Sequence, residues 1–168
     1  MANKVYQYYK ELPSWAKGVV VVGGIAIAYF TAKQLIARIK EQSQYKKQRQ
    51  GLDDQKSELK NMLDTGAKLS YPMSQYKTWA TQIASEFAGC DPLNTSYGKF
   101  ANIMYQLKNN ADFLALSTAF DIQEYDQCGV WNSNFKGNLQ EAINDEFDVN
   151  ELARLNKELV KQGISYKF

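Results

Sequence analysis

The sequence predicts an all-α protein with three parts: an N-terminal single transmembrane helix, a polar stalk helix, and a small C-terminal bundle of about five helices. Three observations lead there. Residues Gly18, Val19, Val20, Val21, Val22, Gly23, Gly24, Ile25, Ala26, Ile27, Ala28, Tyr29, Phe30, Thr31 and Ala32 form an uncharged run between Lys17 and Lys33. Residues 33–50 hold neither glycine nor proline and are rich in strong helix formers, while their apolar residues run out after Ile39, leaving Tyr45. From Met73 onward, apolar residues recur at helical spacing, and no segment alternates with period two long enough to argue for a sheet.

A spanning helix needs roughly 20 mostly apolar residues to cross a hydrocarbon core of about 30 Å. The uncharged run is short for that, and Leu12, Trp15, Ala16, Leu35, Ile36 and Ile39 extend it on both sides. Trp15 and Tyr29 suit headgroup depth, and the long stems of Lys17 and Lys33 let their ammonium groups reach the interface. Trp15, Lys17, Lys33, Arg38 and Lys40 are therefore the expected interface anchors. Pro13 and Ser14 suit a helix start. Two rivals stay open. One is a cleaved signal peptide with Ala26-Ile27-Ala28 as its small-residue site. The other is a buried helix of a soluble protein, although four valines followed by two glycines make poor soluble helix. Gly24, Ala28 and Ala32 are spaced four apart, the pattern that lets helix backbones pack closely, so a homo-oligomer is expected. The flank after the run carries Lys33, Arg38, Lys40, Lys46, Lys47 and Arg49 against Glu41 alone, and the flank before it carries less base. The positive-inside rule then puts the C-terminal domain on the cytoplasmic or interior side.

In chain order, residues 1–11 read as an arm of tyrosines and lysines, and 12–40 as the transmembrane helix with its flanks. Residues 41–72 read as polar stalk and linker, with a stop at Gly51, a short helix over 55–63 bearing Leu59, Met62 and Leu63, and a linker holding Gly66, Ser70 and Pro72. Residues 73–168 read as the bundle. Ser74 leads a helix to Ala88 with Trp79, Ile83, Ala84 and Phe87 on one face, and Cys90 to Asn94 is a turn. Thr95 or Ser96 opens a helix with Phe100, Ile103, Met104 and Leu107. Asn110 caps a helix with Phe113, Leu114, Leu116 and Phe120, and 121–136 is a long polar and aromatic loop. A helix over 138–147 follows, and Asp148 with Glu151 forms a capping box for the last helix, which carries Leu152, Leu155, Leu159 and Val160. Gly163 before Ile164 is a glycine C-cap, and the terminal aromatics fold back on the bundle.

The composition narrows the chemistry. The chain has 20 Lys and Arg against 18 Asp and Glu, and only three of its bases are arginine (Arg38, Arg49, Arg154), so no nucleic-acid partner is expected. It has no histidine, which excludes Ser-His-Asp and Cys-His catalysis and imidazole metal ligation. Cys90 and Cys128 form no Cys-x-x-Cys pair and read as free thiols in or near a core. Asp145, Glu146, Asp148 and Glu151 cluster as helix caps and solvated charge rather than as a cation site. Glu86 and Glu124 have no spacing that marks glycosidase carboxylates. Tyr97, Tyr125 and Trp131 read as core aromatics before they read as a binding surface. No catalytic residue, metal site or cofactor is expected.

Five stretches carry a resemblance: Ile83-Ala84-Ser85-Glu86-Phe87-Ala88-Gly89, Phe100-Ala101-Asn102-Ile103-Met104, Asp112-Phe113-Leu114-Ala115-Leu116, Gly137-Asn138-Leu139-Gln140-Glu141-Ala142-Ile143 and Asn150-Glu151-Leu152-Ala153-Arg154-Leu155-Asn156. In that order, over about half the chain, they resemble a single annexin-type helical repeat. With the tail from Gly163 to Phe168 they are similar to small membrane-anchored proteins of bacteriophages infecting Bacteroidetes. The annexin calcium turn is absent: Gly89 to Thr95 lacks its second glycine. The resemblance implies a helical domain and a non-enzymatic structural or interaction protein of a membrane-containing phage particle, linking the membrane to other membrane or capsid proteins. The lipid bilayer would be either the bacterial inner membrane or the internal membrane of a virion. The alternatives are an annexin-like lipid or calcium module and a membrane-tethered peptidoglycan hydrolase.

Overall fold

The computed structural model describes residues 14–88, 96–125 and 135–168, with the side chains of 14–32 and of Ser96 outside that description. Among the described residues the fold is mostly helical, with six helices and one two-stranded ribbon. The order is α1 (Ser14–Asp64), α2 (Met73–Phe87), α3 (Ser96–Met104), α4 (Asn110–Phe120), β1 (Gln123–Tyr125), β2 (Phe135–Gly137), α5 (Leu139–Glu146) and α6 (Val149–Lys161). The chain divides into two compact units, 1–46 and 47–168.

In the first unit, the described side chains of 33–46 are all exposed. That is the behaviour of a largely polar helix whose apolar face, Leu35, Ile36 and Ile39, is too short to build a core.

The second unit begins inside α1. The expected stop at Gly51 and separate helix over 55–63 do not occur, because α1 runs unbroken to Asp64. A helical glycine costs about 1 kcal/mol relative to alanine. Burial of Leu52 and Leu59 outweighs it, at about 2 kcal/mol for each leucine. Met62 packs against the core as well, and Leu63 faces out. Residues 47–64 thus belong to the bundle, whereas the sequence reading assigned them to a stalk.

The core of this unit is one continuous cluster. Tyr76, Trp79, Ile83 and Phe87 of α2 meet Phe100 and Met104 of α3 and Phe113, Leu114, Leu116 and Phe120 of α4. Leu139 and Ile143 of α5 and Leu155 and Leu159 of α6 close it. The most extensive helix pair is α2 against α4. The amphipathic stripes read from the sequence face the core, with Ala84 and Leu152 partly buried at their edges, while Val160 lies off the Leu152–Leu155–Leu159 stripe and is exposed.

Local signals set several helix ends. Asn138 and Glu141 form a capping box on α5, and Asp148 and Glu151 another on α6. On α4 the cap is Asn109 rather than Asn110: its side chain accepts from Asp112 N at 2.9 Å. Asn110 instead takes the Ser165 N–H at 2.8 Å and so holds the tail. Helix α2 starts one residue before Ser74, behind Pro72, with no side-chain cap.

The segment expected to be a loop over 121–136 contains a short antiparallel ribbon. Gln123, Glu124 and Tyr125 face Gly137, Lys136 and Phe135 respectively. Three residues per strand are too few to show a period of two. Cross-strand pairs hold the ribbon: Tyr125 stacks on Phe135 with centroids 4.8 Å apart, and Lys136 pairs with Glu124 at 2.9 Å. Gly137 leaves the room for this, since a Cβ there would sit 2.6 Å from Phe135 Cζ and 2.7 Å from Glu141 Oε2.

Gly163 ends α6 at φ +74°, and Ile164 N donates to Leu159 O at 2.9 Å while its side chain is buried. Space for a methyl is open there, so Gly163→Ala tests backbone strain alone. It is expected to lower stability by about 1 kcal/mol, read as a shifted urea midpoint at unchanged slope. An unshifted midpoint would refute the assignment of this cap.

Candidate functional site

Two regions stand out: the exposed stretch of α1 over residues 33–46, and a buried carboxylate at Asp112.

In the first, Leu35, Ile36 and Ile39 are 61%, 65% and 58% exposed. Three large apolar side chains so exposed within one turn and a half form a patch, not scattered surface residues. Lys33, Arg38 and Lys40 stand among them, and no carboxylate pairs with these three among the described residues. Of the expected anchors, these three are placed on an exposed helix. Trp15, Lys17 and the whole run Gly18–Ala32, with the packing face Gly24, Ala28 and Ala32, lie outside the described side chains, though α1 includes them. Among the described residues no helix is long and apolar enough to cross a membrane.

The second region was not anticipated. Asp112, in the first turn of α4, is fully buried. Its Oδ1 accepts from Ser70 N at 2.8 Å and from the Tyr76 hydroxyl at 2.5 Å, and its Oδ2 accepts from Lys108 N at 2.8 Å. Burial pushes the carboxyl up, but the hydrogen bonds from Ser70, Tyr76 and Lys108 outweigh it and hold it below the usual carboxylate range. Burial, with the carboxylate beside it, pushes the Tyr76 phenol far up. The carboxylate is engaged by the Ser70 and Lys108 N–H groups and by the Tyr76 hydroxyl. It clamps the segment after α1, where Asn109 Nδ2 also donates to Lys68 O at 3.3 Å and Tyr71 packs edge-on against Trp79 at 4.9 Å. The expected linker around Ser70 is therefore docked on the bundle. An aspartate in the first helical turn is ordinary, and nothing local marks this one as buried.

Four further carboxylates serve the fold. Glu86 pairs with Lys99 at 2.8 Å, and Glu124 with Lys136 on the ribbon. Asp148 and Glu151 form their capping box, and no group of three ligating side chains capable of holding a metal occurs among the described residues. Tyr97 is partly buried against Phe147, and burial raises its phenol to about 12. Tyr125 is pushed up by burial and then by Glu146 and Asp145, and its buried hydroxyl has no hydrogen-bond partner among the described residues. Cys90, Cys128 and Trp131 lie outside the described residues, as does the turn from Cys90 to Asn94.

Comparison with protein-family models, with curated proteins and with solved structures finds no match for this chain.

Proposed function

We propose that this protein is a membrane-anchored, non-enzymatic helical module: residues 12–40 hold the chain in a bilayer, and the bundle of 47–168 offers a folded surface to other proteins. One observation carries the reading. The uncharged run Gly18–Ala32 lies within a single helix, and its C-terminal continuation presents Leu35, Ile36 and Ile39 to the surroundings beside Lys33, Arg38 and Lys40. Apolar side chains left exposed next to an uncharged helical run find their place in lipid, with the bases at headgroup depth. The non-enzymatic part is supported by the bundle's carboxylates, of which Asp112, Glu86, Glu124, Asp148 and Glu151 are all engaged in caps, pairs or hydrogen bonds that hold the fold. The resemblance to phage proteins supports placing it in a membrane-containing phage particle, where the bundle links the membrane to other proteins.

The test is carbonate extraction of membranes carrying the full chain, beside a Val21→Arg/Ile25→Arg variant. Each arginine at mid-bilayer costs about 2.5–3.5 kcal/mol on insertion scales. The wild type is expected in the pellet and the variant largely in the supernatant. A wild-type protein that extracts with carbonate would end the anchor reading.

A further inference from the structure

We infer that the stretch Lys33–Lys40 of α1 is a binding site for anionic phospholipid headgroups, an inference that rests on the membrane-anchored reading above. The helix sets the geometry. At about 100° per residue, Leu35, Ile39 and Ile36 share roughly 100° of arc. Lys33 and Lys40 follow on one edge of that arc and Arg38 on the other, so base borders the apolar face on both sides. Glu41, the one acid in 33–50, falls on the far side. All of these side chains are exposed, and none of the three bases is ion-paired among the described residues.

The length of the helix points the same way. The uncharged run Gly18–Ala32 covers only about 22 Å at 1.5 Å per residue, against a hydrocarbon core of about 30 Å. Extending it to Ile39 gives about 33 Å, so Leu35, Ile36 and Ile39 supply the missing apolar length. Lys33 and Arg38 then snorkel outward, and Lys40 emerges directly, which brings three cations to one leaflet's phosphate level. A second copy of this helix is the poorer occupant, because a parallel partner would set these bases against their own kind. An anionic lipid surface neutralises them.

The experiment reconstitutes the full chain in phosphatidylcholine vesicles and measures the motionally restricted fraction of spin-labelled phosphatidylglycerol against spin-labelled phosphatidylcholine. The expected result is a preference for phosphatidylglycerol on the order of threefold or more, as for a juxtamembrane basic cluster. It should fall to near parity in K33Q/R38Q/K40Q, and also for the wild type when salt is raised to about 1 M, where the screening length shrinks to about 3 Å. Equal association of the two lipids with a carbonate-resistant wild type would overturn the headgroup site and leave the anchor standing. A wild type that extracts with carbonate would remove the anchor, and the site with it.

Discussion

Replacing Asp112 with alanine is expected to cost about 3–5 kcal/mol, a large share of the 5–15 kcal/mol typical of a folded domain. The substitution strips the acceptor from three donors at once: the Tyr76 hydroxyl, Ser70 N–H and Lys108 N–H. The buried Tyr76 hydroxyl left without a partner costs about 1–3 kcal/mol, and the part-buried Ser70 and Lys108 N–H groups add less. Asp112→Asn keeps the shape and one carbonyl oxygen but turns an NH2 group toward a donor, so it is expected to fall between wild type and alanine. Urea unfolding of the three proteins at neutral pH checks the order. An alanine variant within about 1 kcal/mol of wild type would refute the role of this carboxylate.

The same site predicts how stability depends on pH. The folded carboxyl of Asp112 titrates below its unfolded value near 4, so its contribution is complete above about pH 5 and is lost as pH falls through the folded value. The Tyr76 phenol is raised, so its contribution is complete below about pH 9 and is lost as pH climbs past the ordinary phenol value of about 10. Between these limits stability is flat with respect to this pair. In Asp112→Asn the acid-side decline attributable to the site should vanish, and a decline of unchanged steepness would show that other carboxylates produce it.

Phe113→Ala is the second large effect, expected at about 3–5 kcal/mol. Phe113 is fully buried and sits where the chain's end returns: Tyr166 stacks on it with centroids 4.5 Å apart, and Phe168 meets it edge-on at 5.8 Å. The tail is also held by polar contacts. Tyr166 donates to Glu58 Oε1 at 2.7 Å, Phe168 N donates to Asn156 Oδ1 at 2.9 Å, and Asn156 Nδ2 donates to Phe168 O at 2.7 Å. Removing the ring therefore opens a cavity and releases the tail's apolar seat together. Deleting residues 166–168 should cost less, and the double variant should cost less than the sum of the two, because both remove the same contacts. Strict additivity in a denaturant cycle would contradict the packing of the tail on Phe113.

Much of the fold is legible in the sequence. The apolar stripes of α2, α3 and α4 are visible as spacing because a helix writes its buried face at every third or fourth residue. Both Asp148-Glu151 and Gly163-Ile164 are readable because a cap is a bond between neighbours. The exposed patch Leu35, Ile36 and Ile39 was likewise visible as the edge of an apolar run. The Asp112 clamp was not, because Tyr76 and Ser70 lie 36 and 42 residues from it and neither spacing is periodic in anything.

What the sequence by itself determined is the helical class, several helix ends and the uncharged run with its basic border, since each depends on residues within a turn or two of one another. Tertiary structure alone decided four things: that α1 passes through Gly51 to give Leu52 and Leu59 to the bundle, that the segment around Ser70 is docked rather than free, that 123–125 and 135–137 pair as a ribbon, and that the tail reaches Glu58, 108 residues away. The physical reason is common to all four. Each is a long-range burial or pairing whose gain outweighs a weak local preference, a helical glycine or a turn-forming serine, and a local pattern records the preference without the partner that overrides it.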